Sequence, residues 1–293
     1  MRECDVLVLG GGPAGITAAI YAARAGKAVT VLYRDAGALG KAESIENYYG
    51  FAEPISGQAL FAAGLAQARR LGVEVVKTQI LGLGFELSGL TAETTDGTFL
   101  GKTMILATGA QRRAPKLPGL QEFDGAGVSY CAVCDGFFCR GKEVAVLGAG
   151  EYALHEAGVL LPLAARVTLL TNGEQAPENV PSGLVVDTRP IAALEGKGGI
   201  LERVSFADGS RLAVSRLFVA LGTAGSGDLA KKLGLLTEGN KILVDDAMAT
   251  NVPGLFSAGD CTGGLLQVAE AVAQGAKAGL AAVKYLSKQG GQS

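Results

Sequence analysis

Histidine and cysteine, from which metal sites and disulfide scaffolds are built, are scarce: the chain has one histidine and five cysteines among 293 residues. A structural zinc site needs four ligands, and the one closely spaced cysteine pair, Cys131 and Cys134, supplies only two. Five cysteines are also too few, and odd in number, for a disulfide scaffold. The absence of such a scaffold favours a reducing cytoplasm. We therefore predict no metal site and a cytoplasmic location.

Charge is also scarce, since 18% of the residues are charged and the formal net charge is -2. Because there is neither a basic excess nor a run of like charges, the sequence gives no electrostatic basis for binding nucleic acid. Val6 to Ala23 is uncharged and long enough to resemble a membrane span. Four glycines and Pro13 interrupt this stretch where a strand would turn into a helix, so we predict no membrane segment.

Glycine, in contrast, is abundant, with 44 residues, and glycine turns separate a repeated order of strand, helix and strand. In the first copy the sequence predicts a strand at Cys4–Leu9, a helix at Pro13–Ala25 and a strand at Val29–Tyr33. In the second it predicts a strand at Glu143–Leu147, a turn at Gly148–Gly150, a helix at Glu151–Ala164 and a strand at Val167–Leu170. The predicted fold class is α/β, with two nucleotide-binding (Rossmann-like) domains, the second inserted into the first.

The length of the chain also favours two domains, because a single hydrophobic core seldom serves so many residues. Arg112 to Gly125 is rich in proline, glycine and charge and predicts a linker. The return to the first domain is expected around Leu243 to Thr250. The predicted boundaries are therefore residues 1–114 with 246–293 for the first domain and residues 115–245 for the second.

The first glycine turn has the residues that a dinucleotide needs. Gly10 permits a tight turn, Gly12 lets the backbone approach a pyrophosphate, and Gly15 lets the helix pack on the strand. Pro13 and Ala14 begin the helix whose positive end would face the phosphates. The acid that usually binds the ribose at the end of the second strand is missing, so a turn with no ligand remains an alternative.

Two later segments support a nucleotide site. Ala107, Thr108 and Gly109 predict a strand that ends in a small-residue turn beneath the nucleotide. Gly259 and Asp260 follow another strand, and a carboxylate there could accept hydrogen bonds from a chain of hydroxyl groups. A helix cap is the alternative role for Asp260.

Cys131-Ala132-Val133-Cys134-Asp135-Gly136 is the most informative stretch of the chain. Two thiols at this spacing can close a small disulfide, and a carboxyl group beside them can accept or give a proton as the pair cycles. The alternative is a pair of buried packing thiols, which does not explain why Asp and Gly follow them. The sequence therefore predicts a redox centre at Cys131, Cys134 and Asp135.

Together these motifs resemble the low-molecular-weight thioredoxin reductases along nearly the whole chain. The resemblance also rests on Glu46-Asn47-Tyr48-Tyr49-Gly50-Phe51 and on Phe137-Phe138 after the cysteine pair. It implies a homodimer in which an FAD domain, residues 1–114 and 246–293, is split around a redox-disulfide domain that normally binds NADPH. It also implies that the small domain rotates, so that the dithiol alternates between the flavin and the partner protein.

The resemblance further implies the roles of individual residues. Cys134 would exchange electrons with the flavin, Cys131 would attack the disulfide of thioredoxin, and Asp135 would handle the proton. The implied FAD contacts beyond the turn at residues 10–15 are Asn47, Thr108, Gly109, Gly259, Asp260, Gln267 and Val268.

The second nucleotide fold departs from the NADPH-using members. Tyr152 replaces a small residue next to where a pyrophosphate would lie. Thr171 to Glu174 stands where those members have a cluster of histidine and arginine for the 2′-phosphate, so no basic residue remains there and Glu174 would repel a phosphate. Leu221 to Gly225 likewise replaces a Gly-His-x-Pro motif.

Three interpretations remain open after these departures. The first is a ferredoxin-dependent flavin thioredoxin reductase, a branch that the chain resembles at residues 38–42 and 150–156. The second is an enzyme that uses NADH or NADPH through altered contacts, or a relative with a second flavin; the third is a flavin-bearing redox sensor that catalyses no turnover. Candidate docking residues for an acidic ferredoxin are Lys27, Arg34, Lys41, Arg112, Arg113 and Lys116, although scattered surface charge is an equal alternative.

Overall fold

The computed structural model describes residues 1–109, 116–221, 229–230, 232–239 and 241–290. Its strands in chain order are β1 (Arg2–Leu9), β2 (Val29–Tyr33), β3 (Glu74–Lys77), β4 (Ile80–Glu86), β5 (Gly89–Thr94), β6 (Gly97–Leu106), β7 (Val128–Ser129), β8 (Glu143–Leu147), β9 (Arg166–Leu170), β10 (Leu184–Asp187), β11 (Ile191–Lys197), β12 (Ile200–Phe206), β13 (Arg211–Ala213), β14 (Arg216–Val219), β15 (Thr237–Glu238), β16 (Lys241–Ile242) and β17 (Leu255–Ser257). The α-helices within these ranges are α1 (Pro13–Arg24), α2 (Gly57–Arg70), α3 (Ala132–Asp135), α4 (Glu151–Leu160) and α5 (Val268–Gly290). Short 3-10 helices lie at Leu39–Lys41, Gly136–Cys139 and Asp260–Thr262.

The chain divides into two compact units. Unit 1 consists of Met1–Arg112 and Gly225–Ser293, and unit 2 consists of Arg113–Ala224. The described residues from 229 onward belong to unit 1, whereas the sequence prediction places residues up to 245 in the second domain. The physical reason is that Ala230, Leu233 and Leu235 are buried in the same cluster as Leu7 and Leu9 of the first strand.

Unit 1 is built around a seven-stranded sheet in the order β3-β2-β1-β6-β5-β4, with β17 pairing β6 beyond the end of β5. β1, β2, β3, β6 and β17 are parallel to one another, and β5 runs antiparallel to both of its neighbours, β4 and β6. Alternate residues of β1 enter different core clusters, Val6 and Val8 in one and Leu7 and Leu9 in the other. The central strand is therefore apolar throughout because both of its faces are buried.

Helices α1 and α5 of unit 1 pack so closely that only glycine fits at two positions of α5. A Cβ atom on Gly275 would lie 2.2 Å from the carbonyl oxygen of Ala14, and one on Gly279 would lie 2.5 Å from that of Ala18. Ala14 lies in the first turn of α1, immediately after the glycine turn. α5 therefore packs against the first turn of α1 and stabilises the glycine turn that precedes it.

We expect Gly275→Ala to destabilise the protein by about 2 kcal/mol, because the added methyl group must push α1 and α5 apart. Gly158→Ala is the matched control: Gly158 is an exposed position of α4 where an added Cβ meets nothing within 4 Å. That change should be neutral or stabilise by up to about 1 kcal/mol. Thermal or urea unfolding of both variants tests this packing, and equal stability of the two would contradict it.

Unit 2 repeats the pattern of unit 1. Its main sheet is parallel, in the order β10-β9-β8-β14-β7, and a three-stranded antiparallel sheet is formed by β11, β12 and β13. Val144 and Val146 of β8 enter one core cluster, and Ala145 and Leu147 enter the other. The prediction of an α/β fold with two Rossmann-like domains, the second inserted into the first, is confirmed.

Some predicted boundaries differ from the structure. Helix α4 ends at Leu160 rather than Ala164. Residues 116–125 of the predicted linker belong to unit 2, because Leu120 and Phe123 are buried in its core, whereas residues 112–115 lie outside the described residues. Over the described ranges, no helix has both the length and the hydropathy to cross a membrane.

Candidate redox and nucleotide sites

The turn after β1 requires glycine at two of its predicted positions. Gly10 has a φ of +122°, and a Cβ there would lie 2.1 Å from the carbonyl oxygen of Ala107. A Cβ on Gly15 would lie 2.0 Å from the carbonyl oxygen of Gly10. Both glycines let α1 and β6 approach the turn closely, as a dinucleotide-binding turn demands.

The same turn is open toward the side where a ligand would bind. A Cβ on Gly12 would meet nothing within 4 Å, so the space beside the backbone here is free of protein atoms. Gly12 is the cap of α1, Pro13 is its first residue, and the first turn carries no acid. The start of α1 therefore offers backbone N–H groups and a positive helix end to a phosphate.

Thr108 supplies a second indication of a ligand. β6 ends at Leu106, and the Ala107 N–H donates to the carbonyl oxygen of Leu9 over 2.8 Å, which places this segment beside the turn. The Thr108 hydroxyl is buried without a hydrogen-bond partner among the described residues. Since a buried polar group normally has a partner, a bound ligand would satisfy it. Gly109 follows with a φ of +75°.

Gly259 and Asp260 complete this edge of the sheet. Gly259 has a φ of +87°, and its N–H donates to Oε1 of Gln274 over 2.7 Å. Gln274 also accepts from the Thr262 hydroxyl over 2.9 Å. Asp260 begins a 3-10 helix, and because α5 starts only at Val268, Asp260 does not cap α5. Burial raises the pKa of the Asp260 carboxyl group.

Asn47 and Gln267 lie together although 220 residues separate them. The side-chain amide of Asn47 donates to Oε1 of Gln267 over 2.8 Å. Val268, the next residue, is the half-buried first residue of α5. The structure therefore brings these predicted contact residues to one place in unit 1.

The cysteine pair of unit 2 forms a disulfide at the start of α3. Cys131 and Cys134 are bonded, with their Cα atoms 5.3 Å apart. Cys131 is the cap of α3, and its Sγ accepts the N–H of Cys134 over 3.1 Å. Only 2% of Cys131 is exposed, whereas Cys134 is exposed.

Asp135 is held close to the disulfide by two side chains that the sequence analysis missed. The Ser129 hydroxyl donates to Oδ2 of Asp135 over 2.6 Å, and Arg216 forms an ion pair with the same oxygen at 3.4 Å. Ser129 Oγ in turn accepts the N–H of Cys131 over 3.2 Å. Ser129 thus links the carboxyl group to the backbone of the disulfide. Arg216 lies in β14, far from the cysteines in the sequence. Ser129 lies in β7, only two residues before Cys131, but it belongs to no recognised motif.

Thiol chemistry is confined to this pair. Cys4, Cys139 and Cys261 are unbonded and buried, and burial raises the pKa of each thiol, that of Cys4 to about 11. A thiol with a raised pKa is a poor nucleophile because the thiolate is the reactive form. Over the described ranges, no three His, Cys, Asp or Glu side chains form a group that could hold a metal.

We expect the reduced native protein to show two fast thiols with Ellman's reagent, and the three buried thiols only after denaturation. Cys134 is exposed and starts the reaction, and Cys131 then closes the disulfide and releases the second chromophore. The oxidised native protein is the control and should show no fast thiol. A third fast thiol in the reduced protein would contradict the assignment.

The second glycine turn resembles the first, but its helix begins with an acid. Gly148 has a φ of +153°, and a Cβ there would lie 2.4 Å from the carbonyl oxygen of Ala220. Gly150 is the cap of α4, and the exposed Glu151 is its first residue. A carboxylate here lies at the positive helix end that a phosphate would otherwise use.

Tyr152 has a different position from the one that the sequence suggested. Only 1% of its surface is exposed, and it packs in a core cluster with Ala132, Cys139 and Leu160. The aromatic ring adds volume to the core of unit 2 and does not project beside the turn. The expected intrusion of Tyr152 on a pyrophosphate is therefore wrong.

The segment after β9 forms a hydrogen-bonded turn. The sequence predicts that this segment lacks the basic residues that bind a 2′-phosphate. Asn172 has a φ of +53°, and its side-chain oxygen accepts the N–H of Ile191 over 2.7 Å. The N–H of Gly173 donates to the carbonyl oxygen of Thr188 over 3.0 Å. These donors are used within the protein. The predicted difference at Gly222–Gly225 lies outside the described residues.

Two Rossmann-like units in one chain, one with the turn and the buried hydroxyl for a dinucleotide and the other with a disulfide, define a dinucleotide-dependent disulfide oxidoreductase. A family model described as pyridine nucleotide-disulphide oxidoreductase matches residues 4–275. A thioredoxin reductase of Aquifex aeolicus is 40% identical over an alignment of 301 positions, which spans 97% of this chain and 93% of the relative.

Solved structures agree with this match. The atypical thioredoxin reductase TRi from Desulfovibrio vulgaris Hildenborough is 40% identical, with a TM-score of 0.91 over 98% of this chain and 99% of that one. A ferredoxin-flavin thioredoxin reductase from Clostridium acetobutylicum is 30% identical, with a TM-score of 0.74 over 98% and 99%. The chain belongs to the pyridine nucleotide-disulphide oxidoreductases and, among them, to the low-molecular-weight thioredoxin reductases.

The cofactor of this family is FAD, and the residues of unit 1 fit it. The open side of Gly12, the acid-free start of α1 and the unsatisfied Thr108 hydroxyl are the features that a bound dinucleotide requires. The predictions of the family and of FAD are therefore confirmed.

Proposed function

We propose that the protein is a ferredoxin-dependent, FAD-containing thioredoxin reductase that acts through Cys131 and Cys134. The observation that carries the choice of donor is the difference between the two helix starts. α1 begins with Pro13, Ala14 and Gly15, which leaves its positive end to a phosphate. α4 begins with Glu151, so a pyridine nucleotide would have to place its pyrophosphate against a carboxylate.

The turn after β9 supports the same donor. A 2′-phosphate is usually bound by arginine side chains and free N–H groups, which form charge-assisted hydrogen bonds. Here the N–H of Gly173 is bonded to Thr188, and the exposed Glu174 adds a negative charge. NADPH would therefore lose attraction and gain repulsion at this end of the site.

The chemistry at the disulfide needs two electrons and two protons for each turnover. FAD, when bound, accepts electrons singly or in pairs, so it can match a one-electron donor to a disulfide. Cys134 is the exposed sulfur and is proposed to take part in reduction of the pair, which yields two thiols. Cys131 then attacks the disulfide of thioredoxin, and Cys134 attacks the mixed disulfide, which re-forms the Cys131–Cys134 bond and releases thioredoxin with two thiols. Asp135 is proposed to carry the proton.

The surface beside the disulfide supports a protein as the acceptor. Val133, Phe137 and Phe138 are exposed to 64%, 67% and 59%, and the two phenylalanine rings contact each other edge to face. Exposed aromatic clusters of this kind mark protein-binding surfaces. The relatives from Aquifex aeolicus and Desulfovibrio vulgaris, named as thioredoxin reductases, support thioredoxin as the protein.

The candidate docking residues for ferredoxin are only partly supported. Lys41 and Lys116 are exposed. Arg34 forms an ion pair with Asp35 at 2.7 Å, so its charge is largely offset, and Lys27 is half-buried. Arg112 and Arg113 lie outside the described residues. The ferredoxin-flavin relative from Clostridium acetobutylicum supports the donor more than this surface does.

We further propose that unit 1 is the FAD domain, that unit 2 is the redox-disulfide domain, and that the protein is a cytoplasmic homodimer. The positions of the glycine turn and the disulfide support the first two assignments. The burial of Cys131 means that it must become accessible before it can attack a partner, which the domain rotation of the family would achieve. We also propose that FAD contacts the turn at residues 10–15 and the seven further residues that the sequence analysis gives, Asn47, Thr108, Gly109, Gly259, Asp260, Gln267 and Val268.

A nicotinamide donor is the second candidate. The family is described by its pyridine nucleotide, and the second glycine turn keeps the geometry that such a nucleotide uses. Altered contacts could therefore still hold NADH, which lacks the 2′-phosphate.

The test of the donor is a half-reaction. The purified yellow holoenzyme is mixed anaerobically with NADPH, NADH or reduced ferredoxin, and the visible flavin band is followed. Bleaching by ferredoxin alone supports the proposal. Fast bleaching by either nicotinamide, with none by ferredoxin, would overturn it in favour of the second candidate.

A further inference from the structure

Glu156 is a buried acid that is hydrogen-bonded to the residue after Cys131, and the scheme above gives it no role. Its side chain is 1% exposed and lies on α4, and Oε2 accepts the N–H of Ala132 over 2.7 Å. Ala132 follows Cys131 directly and is the first residue of α3. Burial of a carboxylate opposes folding strongly unless hydrogen bonds compensate. Through this hydrogen bond the Glu156 side chain contacts the backbone of the residue that directly follows Cys131.

The side chains of Cys131 and Glu156 each accept a different backbone N–H group of α3. The N–H of Cys134 points to Sγ of Cys131, and the N–H of Ala132 points to Glu156. Helix-start N–H groups favour a thiolate, as in thiol enzymes whose attacking cysteine begins a helix. A carboxylate that takes one of these donors and adds a negative charge has the opposite effect. Asp135, the last residue of α3, is paired with Arg216 at 3.4 Å.

We propose that Glu156 is a positioning residue that makes the Cys131–Cys134 couple a stronger reductant by disfavouring the thiolate of Cys131. Destabilising the thiolate destabilises the dithiol, so the equilibrium with an acceptor disulfide shifts toward the oxidised Cys131–Cys134 pair and a reduced acceptor. This inference rests on the proposed function, because it takes the Cys131–Cys134 pair as the redox-active one.

The test is a thiol–disulfide equilibrium in the FAD-loaded enzyme. One Cys131–Cys134 disulfide and two glutathione thiols give one dithiol and one glutathione disulfide. The holoenzyme is equilibrated anaerobically in glutathione buffers at about pH 8, where a thiolate contributes. Thiols are then alkylated, and the peptide that contains both cysteines is quantified by mass spectrometry.

Glu156→Gln should raise the equilibrium constant for dithiol formation about fivefold, because the negative charge is lost. Glu156→Met should raise it at least as much, because the N–H of Ala132 also loses its acceptor. The second variant protects the test against failure to fold, since replacing a buried charge with an apolar group of similar size is often neutral or stabilising. Glu143→Gln removes an exposed charge of the same unit and should change the constant less than about twofold.

FAD content and melting temperature are measured alongside for every variant. If both Glu156 variants keep the wild-type equilibrium constant and only their stability changes, Glu156 is a structural residue and the inference is wrong. If the wild-type pair stays oxidised even with excess dithiothreitol, the pair is not redox-active, and the proposed function fails together with the inference.

Discussion

Cys134→Ser is expected to accumulate a mixed disulfide between Cys131 and thioredoxin, and its turnover should fall by about 10³-fold or more. Cys131 can still attack the partner, but the thiol that would resolve the mixed disulfide is gone. Cys131→Ser should lose turnover to the same extent and trap nothing. Non-reducing electrophoresis of each pre-reduced variant with oxidised thioredoxin measures the trapped species.

This pair of variants also tests the order of the sulfurs against their exposure. In the structure Cys134 is exposed and Cys131 is 2% exposed, so exposure alone would make Cys134 the attacking thiol. Trapping by Cys131→Ser and not by Cys134→Ser would reverse the proposed roles. Cys139→Ser is the control, because this unbonded thiol is buried and its change should leave turnover within about threefold.

Asp135→Asn is expected to slow thioredoxin reduction about 10²-fold while FAD content stays unchanged. The amide keeps the size of the carboxyl group and can still accept from the Ser129 hydroxyl, but it cannot carry a proton and no longer pairs with Arg216. Ser129→Ala should have a smaller effect, about tenfold, because it leaves the carboxyl group in place and removes the hydroxyl that orients it and that accepts the N–H of Cys131. Steady-state rates with saturating donor measure both changes.

Asp124→Asn supplies the matched control, since Asp124 is an exposed aspartate of the same unit and precedes the cysteine pair by a few residues. Its rate should stay at the wild-type value. If Asp135→Asn and Asp124→Asn have equal rates, Asp135 does not carry the proton.

The local parts of the fold could be predicted from the sequence because short-range chemistry determines them. β2 and β8 have the predicted bounds, and α1 differs from its predicted bounds by one residue. An apolar run buried on both sheet faces and a glycine that must have a positive φ leave few other conformations. The disulfide at Cys131 and Cys134 likewise needs only local geometry.

Contacts between distant segments could not be predicted, since no local pattern marks them. Gly275 looks like an ordinary helical glycine, yet it lies against Ala14. Glu156 reads as a surface acid of an amphipathic helix, but the packing of α3 on α4 buries it. The burial of Tyr152 could not be predicted for the same reason, because its neighbours in the sequence do not reveal which face of α4 is covered.

The choice of donor is tested most directly by complete turnover. Under anaerobic conditions, the oxidised holoenzyme and oxidised thioredoxin are mixed in one set with reduced ferredoxin and in parallel sets with excess NADPH or NADH, and new thiols on thioredoxin are counted. We expect rapid formation of thiols with ferredoxin and none above background with either nicotinamide, because Glu151 at the start of α4 and the internally bonded turn after β9 oppose the binding of their phosphates. Rapid formation with a nicotinamide and none with ferredoxin would contradict the account.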